Sequence, residues 1–105
     1  MRLYLDDVRT SPMDERWVTV QTFEDAVMII ATCWDDITEV SLDHDLGYGK
    51  SGMDVLNYIE MAAVGRGYLP FKIHIHSMNY AVVDKMAKVA FNLEQKFGTI
   101  KREKA

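Results

Sequence analysis

The sequence predicts an α/β domain built on a short, mostly parallel sheet that helices cover on both faces. Short apolar runs of strand character alternate along the chain with segments of helical periodicity. The runs are apolar at successive positions, as is typical of parallel strands buried between two layers. Glycine and proline fall mainly between these segments, where turns are needed. About four strands and three main helices are expected, forming one domain over residues 1–105.

Composition and charge limit the possible functions. The 105 residues are 49% hydrophobic and 27% charged, which is ordinary for a globular protein with its own core. The net charge of −4 argues against non-specific binding to nucleic acid, which depends on clustered lysine and arginine. A small phosphate ligand, or an RNA end held by a metal, remains compatible with this charge.

The cysteine content and hydropathy predict a cytoplasmic protein without a membrane partner. Cys33 is the single cysteine, so no intrachain disulfide can form, and its place in a predicted helix favours a buried thiol over a nucleophile. No apolar stretch approaches about 18 residues, and the beginning of the sequence lacks the apolar region of a signal peptide. The oligomeric state stays open.

The first strand is predicted at residues 3–5, where the apolar run Leu-Tyr-Leu ends in Asp6 and Asp7. Residues 8–16 contain a proline and turn-forming residues without helical periodicity, which predicts a loop or a single helical turn. Residues 17–20 are aromatic and β-branched, and we expect a second strand there.

The first helix is predicted to begin at Thr22, because Thr22 and Asp25 have the spacing of a capping box. Its apolar face, at three- and four-residue spacing, contains Phe23, Ala26, Val27, Ile30, Ala31 and Trp34. A third strand follows at residues 40–42 and leads directly into Asp43.

A glycine-rich loop at residues 47–52 precedes the second helix, for which Ser51 is the expected N-cap and Asp54 lies in the first turn. The apolar face of this helix contains Val55, Leu56, Ile59, Ala62 and Ala63. Gly65 and Gly67 are expected to end it.

The fourth strand is predicted at residues 71–76 and stops at Ser77. A long helix then begins at Asn79 or Tyr80 and ends at Gly98. Its apolar face contains Val82, Met86, Val89, Ala90, Leu93 and Phe97.

Four aspartates lie at the ends of two of these strands: Asp6, Asp7, Asp43 and Asp45. The carboxyl ends of parallel strands share one edge of the sheet, where α/β folds bind ligands. Carboxylates gathered there repel each other by roughly 4 kcal/mol per pair at 4 Å and an effective dielectric of 20. Because Mg²⁺ prefers oxygen ligands and relieves this repulsion, the four aspartates predict a Mg²⁺ site, which Mn²⁺ would also fit.

Further polar residues are expected near this edge. The Ser77 hydroxyl could contact an oxygen of a bound phosphate as well as cap the last helix, and Arg9 could bind the same phosphate through two of its guanidinium N–H groups. His44 and His76 are candidates for proton transfer beside the carboxylates. His74 is expected to be a structural residue of the fourth strand.

The strings LDDVRTSP, SLDHDLG, SGMD and HSMN resemble the receiver domains of response regulators, and more specifically the cyclic-phosphate processing receiver family. The resemblance implies a compact, flavodoxin-like and receiver-like three-layer sandwich. It also implies that Asp43 is the phosphoacceptor position and that Asp6 and Asp7 hold Mg²⁺. By the same resemblance Ser77 contacts the phosphoryl group, and Asp45 offers a backbone carbonyl to the metal.

Two departures from ordinary receivers affect the functional prediction. Residues 8–16 are too short for the first receiver helix, which is therefore expected to be reduced to a loop. Only residues 99–101 remain for a fifth strand, so Lys101 is a poor match to the receiver lysine that follows it. Arg9 and His44 resemble the residues that replace this lysine in the cyclic-phosphate processing family. The replacement favours catalysis or ligand binding over a phosphorylation-dependent switch.

The sequence and the resemblance together predict a Mg²⁺-dependent domain that acts on cyclic phosphates, such as 2′,3′-cyclic nucleotides or RNA ends. Asp43, His44 and His76 are the predicted catalytic residues of this candidate phosphoesterase, and Arg9 and Ser77 would bind the phosphate. One alternative is a signalling receiver in which Asp43 is phosphorylated. Another is a receiver-like interaction module without catalysis.

Overall fold

Four short parallel strands form a single sheet in the computed structural model, which describes residues 1–6, 17–43, 50–76 and 80–98. In the spatial order β2-β1-β3-β4, the strands are β1 (Arg2–Leu5), β2 (Trp17–Val20), β3 (Glu39–Leu42) and β4 (Lys72–Ile75). The helices are α1 (Phe23–Thr32), α2 (Gly52–Arg66) and α3 (Tyr80–Leu93). The structure confirms the predicted receiver-like α/β fold with four parallel strands and three helices.

The two faces of the sheet differ in polarity because side chains alternate along each strand. Paired residues lie on the same face, so the register places Leu3 with Val40, and Val40 with Ile73. The helices pack against this apolar face, where Ile30, Leu56, Met86 and other helix residues join the same buried cluster as the strand leucines and valines. The helices were predicted on both faces of the sheet, whereas in the described residues all three pack on this one face.

The strand residues of the second face are mostly polar or aromatic: Arg2, Tyr4, Trp17, Thr19, Glu39, Ser41, Lys72 and His74. Arg2 pairs with Glu39 near the amino edge of the sheet, and the aromatic ring of Tyr4 contacts Trp17 edge-on. This face leads along the strands to the carboxyl edge.

The helix ends follow the capping residues of the sequence. The Thr22 hydroxyl accepts a hydrogen bond from the backbone N–H of Asp25 at 3.1 Å. Ser51 and Asp54 form a full capping box, in which the backbone N–H of Ser51 donates to the Asp54 carboxylate at 2.8 Å. Gly67, with φ of 84°, caps the end of α2 in the left-handed conformation that suits glycine.

Some predicted boundaries and faces differ from the structure. The expectation that Gly65 helps to end α2 is wrong, because the helix continues to Arg66 and a single glycine is tolerated within it. Ala31 is exposed, although it lies on the predicted apolar face of α1. After Leu93, α3 continues as one π-helical turn, Glu94–Gly98.

Several predicted elements lie outside the described residues. They are the loop at 8–16, the glycine loop before residue 50, the strand end at Ser77, the possible helix start at Asn79 and the strand at 99–101. Within the described ranges, no helix combines the length and apolar character needed to span a membrane.

Loss of the Ser51 cap is expected to destabilise the protein. Ser51→Ala leaves the backbone N–H of Asp54 without its side-chain acceptor, which should lower the free energy of unfolding by about 1 kcal/mol. Urea denaturation measures this change. Ser51→Thr keeps the hydroxyl and should retain most of the stability; equal losses in both variants would contradict the capping role.

Candidate functional site

Three of the predicted site residues, Asp6, Asp43 and His76, meet at the carboxyl edge of the sheet. Each directly follows the last residue of a strand: β1, β3 and β4, respectively. The backbone N–H of Asp43 donates to the carbonyl of Leu5 at 3.0 Å, and that of His76 donates to the carbonyl of Leu42 at 2.8 Å. The sheet ladder thus extends by one residue, and the alternation of side chains turns all three toward the second face.

The strand order places this site at the switch point of the fold. From β1 the chain passes to β2 on one side, whereas β3 lies on the other side of β1. In open α/β sheets, connections that diverge in this way leave a crevice at the carboxyl ends of the two strands, where ligands bind. Asp6 and Asp43 follow the two strands that border this crevice.

The geometry of the three side chains fits a divalent cation. His76 Nε2 lies 3.1 Å from Asp6 Oδ2, and one ligand atom from each residue lies within 4.8 Å of the other two. Octahedral ligands with bonds of about 2.1 Å are separated by about 3 Å when adjacent and about 4.2 Å when opposite. A shift of less than about 1 Å would therefore let all three contact one cation.

Burial of the Asp6 and Asp43 carboxylates strengthens the electrostatic repulsion between them. Asp6 is only 1% exposed and Asp43 is 8% exposed, so water screens their mutual repulsion poorly. With a neutral imidazole, these three side chains carry two negative charges. A cation that contacts both carboxylates would stabilise their ionised forms.

The imidazole of His76 is held on two further sides. Its Nδ1 lies 2.7 Å from the Oγ of Ser41, and its ring stacks on Tyr4 with a centroid separation of 4.4 Å and an interplanar angle of 6°. Sequence reasoning missed both partners. Because Tyr4 precedes Asp6 by two residues and Ser41 precedes Asp43 by two, strand alternation offered a signal for their shared face.

Gly52, the first residue of α2, lies against the backbone of Asp43. A Cβ atom at Gly52 would be 1.9 Å from the Asp43 carbonyl oxygen and 2.8 Å from Cε of Met86. Any larger residue must therefore displace the helix start or the strand end that positions the Asp43 carboxylate. The sequence placed Gly52 only in a glycine-rich loop, and its close approach to Asp43 was not predicted.

His74 lies in the same rung of the second face as Ser41, and its side chain contacts Glu39, toward the amino edge, rather than the candidate site. Its Nε2 lies 2.9 Å from Oε1 of Glu39, whose other oxygen accepts from Nε of Arg2 at 2.8 Å. The hydrogen bond with His74 is the largest cause of a lowered Glu39 pKa, and the Arg2 charge adds to it against the opposing effect of burial. His74 therefore has a partner in the sheet and is not among the three clustered residues.

The remaining predicted site residues lie outside the described residues. Asp7 and Asp45 were expected to bind the metal, Arg9 and Ser77 the phosphate, and His44 to transfer a proton. These assignments stay predictions. Of the predicted site residues, the structure brings together Asp6, Asp43 and His76, which follow β1, β3 and β4.

The described residues thus define a parallel α/β domain with a cluster of two carboxylates and an imidazole at its switch point. The family model of the cyclic-phosphate processing receiver domain matches residues 1–92. The chain therefore belongs to this family, as its motifs predicted. Searches of curated proteins and of solved structures gave no match.

Gly52→Ala is expected to destabilise the protein by about 1–3 kcal/mol, because the added methyl group overlaps the Asp43 carbonyl. Urea denaturation measures the loss. The matched control is Gly65→Ala on the same helix, where a Cβ has open space and should stabilise by about 0.5–1 kcal/mol. If both substitutions stabilise, the tight contact between α2 and Asp43 does not exist.

The Glu39 carboxylate should make stability depend on pH. Since its folded-state pKa lies below the ordinary value of 4.5, its contribution is present above pH 4.5 and is lost as the pH falls through the folded value. Glu39→Gln should therefore lower the free energy of unfolding at neutral pH by about 0.2–1 kcal/mol, and the difference should vanish in acid. Unfolding curves across this range measure it.

His74→Leu provides the matched test of the cause. It removes the hydrogen bond that contributes most to the lowered Glu39 pKa, so the effect of Glu39→Gln should shrink in that background. An unchanged effect in the double-mutant cycle would show that His74 is not the partner responsible.

Proposed function

We propose that this receiver-like domain binds a divalent cation, Mg²⁺ or Mn²⁺, and processes a cyclic phosphate. The candidate substrates are 2′,3′-cyclic nucleotides and RNA ends that carry the same group. The observation that supports this proposal is the convergence of Asp6, Asp43 and His76 at the switch point of a domain from the cyclic-phosphate processing family.

Each described residue has a chemical role in the proposal. Asp6 and Asp43 would hold the cation with their buried carboxylates. When bound, the cation supplies positive charge to the phosphate oxygens and lowers the cost of the charge that develops there. His76 adds one imidazole nitrogen to the cluster, and the start of α2 at Gly52 packs against the backbone of Asp43.

The residues outside the described ranges complete the proposal from the sequence. Asp7 and Asp45 would add oxygen ligands, and Arg9 and Ser77 would hold the phosphate oxygens. His44 would transfer a proton to or from the ligand. Their place in the chain, within a few residues of the ends of β1, β3 and β4, supports these roles.

The direct test is turnover of 2′,3′-cyclic nucleotides and of RNA with a 2′,3′-cyclic end. The wild-type protein should open the cyclic phosphate with Mg²⁺ or Mn²⁺ and lose activity in EDTA. Asp43→Asn should reduce the rate by about a hundredfold or more, because even residues that only orient metal ligands contribute 10–100-fold. Chromatographic separation of cyclic and linear products gives the rate.

Asp84→Asn is the matched control, since Asp84 is exposed on α3 and forms a surface ion pair with Lys88. It should leave the rate unchanged. Turnover that survives Asp43→Asn would contradict the proposed site.

The two alternative functions give different outcomes in companion experiments. A signalling receiver would show no turnover, but would gain one phosphate on Asp43 after incubation with acetyl phosphate and Mg²⁺, as measured by intact mass. An interaction module would show neither turnover nor adduct, and no cation-dependent change in melting temperature. Either pattern would overturn the catalytic proposal.

A further inference from the structure

We infer that His76 is itself a ligand of the cation through Nε2, and that buried Ser41 is the positioning residue which holds it in that role. The site would then favour Mn²⁺ and other first-row divalent cations over Mg²⁺. This inference rests on the proposed function, since it assigns a nitrogen ligand to the same cation site beside the carboxylates.

The position of Nε2 supports the assignment of His76 as a ligand of the cation. This nitrogen lies 3.1 Å from Asp6 Oδ2 and belongs to the set of ligand atoms that lie within 4.8 Å of each other. A separation of about 3 Å suits a hydrogen bond, and it also matches two adjacent ligands of one cation. The imidazole can therefore exchange a proton on Nε2 for the cation without changing its rotamer.

The contact of Ser41 with Nδ1 supports its role in positioning the imidazole. Metal-bound histidines usually donate the N–H of their other nitrogen to a fixed acceptor, and the Ser41 hydroxyl lies 2.7 Å from Nδ1. A hydroxyl both donates and accepts. It can donate to Nδ1 when Nε2 carries the proton, and accept from Nδ1 when Nε2 binds the cation. Ser41 is 8% exposed, so water replaces it poorly.

Tyr4 fixes the plane of the His76 imidazole. The stacked rings are nearly parallel, and Tyr4 is itself 8% exposed. A flipped imidazole would present carbon atoms to Ser41 and Asp6, at the cost of both hydrogen bonds. The contacts of Tyr4 and Ser41 therefore keep Nε2 directed toward the carboxylates.

The donor set determines the metal preference. Mg²⁺ binds oxygen ligands and rarely takes imidazole, whereas first-row transition cations accept nitrogen with carboxylate. A donor set that combines carboxylates with one imidazole suits the second group. Mn²⁺ is a convenient probe because its unpaired electrons report the nuclei that it contacts.

Pulsed electron paramagnetic resonance of the Mn²⁺-loaded full chain tests the ligand assignment directly. The wild-type spectrum should contain modulation from one directly bound histidine nitrogen, and labelling with ¹⁵N-histidine should shift it. The signal should disappear in His76→Gln. It should persist in the control His74→Gln, which changes an exposed histidine two residues earlier on β4.

Calorimetric titration tests the positioning role of Ser41. Ser41→Ala should weaken Mn²⁺ binding by about 10–100-fold, as expected for loss of a hydrogen-bond partner of a metal ligand. Ser41→Thr retains the hydroxyl and should restore most of the affinity. Mg²⁺ affinity should change less than Mn²⁺ affinity in both His76→Gln and Ser41→Ala.

The possible failures are distinguishable. Mn²⁺ binding without a histidine nitrogen signal in the wild-type protein would overturn this inference, while a cation site of carboxylates alone would survive. Absence of both Mn²⁺ and Mg²⁺ binding would overturn the inference together with the proposed function. The wild-type spectrum decides the first outcome even if a Ser41 variant does not fold.

Discussion

The register of the parallel sheet is the constraint on which both the core and the candidate site depend. Leu5, Leu42 and Ile75 form one rung that faces the helices, and the next residues, Asp6, Asp43 and His76, face the other way. A slip of one residue would turn an apolar rung to the second face and carboxylates into the core. Burial of the leucines stabilises this register, and the same register brings the carboxylates together.

The side chains of the second face form successive layers along the strands, from the amino edge of the sheet to the candidate site. Glu39 pairs with Arg2 nearest the amino edge, and Tyr4, Ser41 and His74 form the next layer, from which His74 reaches back to Glu39. The clustered carboxylates and imidazole come next, at the carboxyl edge. Because strands hold these residues more rigidly than loops would, the orientation of His76 is set before any ligand arrives.

The sequence revealed the order of elements and the acidic strand ends, because both are local patterns. Apolar runs marked the strands, periodicity marked the helices, and the aspartates after β1 and β3 pointed to one edge. The hydrogen bond between Ser41 and His76 was not predictable, since it joins residues 35 apart and depends on which strands are neighbours. The contact of Gly52 with Asp43 likewise depends on tertiary packing.

Anomalous diffraction from crystals of the protein grown with Mn²⁺ would locate the cation relative to the three side chains. One strong peak is expected at the carboxyl edge, within about 2.3 Å of oxygens from both Asp6 and Asp43 and of His76 Nε2. A peak bound elsewhere, or carboxylates of residues 6 and 43 that diverge beyond the reach of one cation, would contradict this expectation.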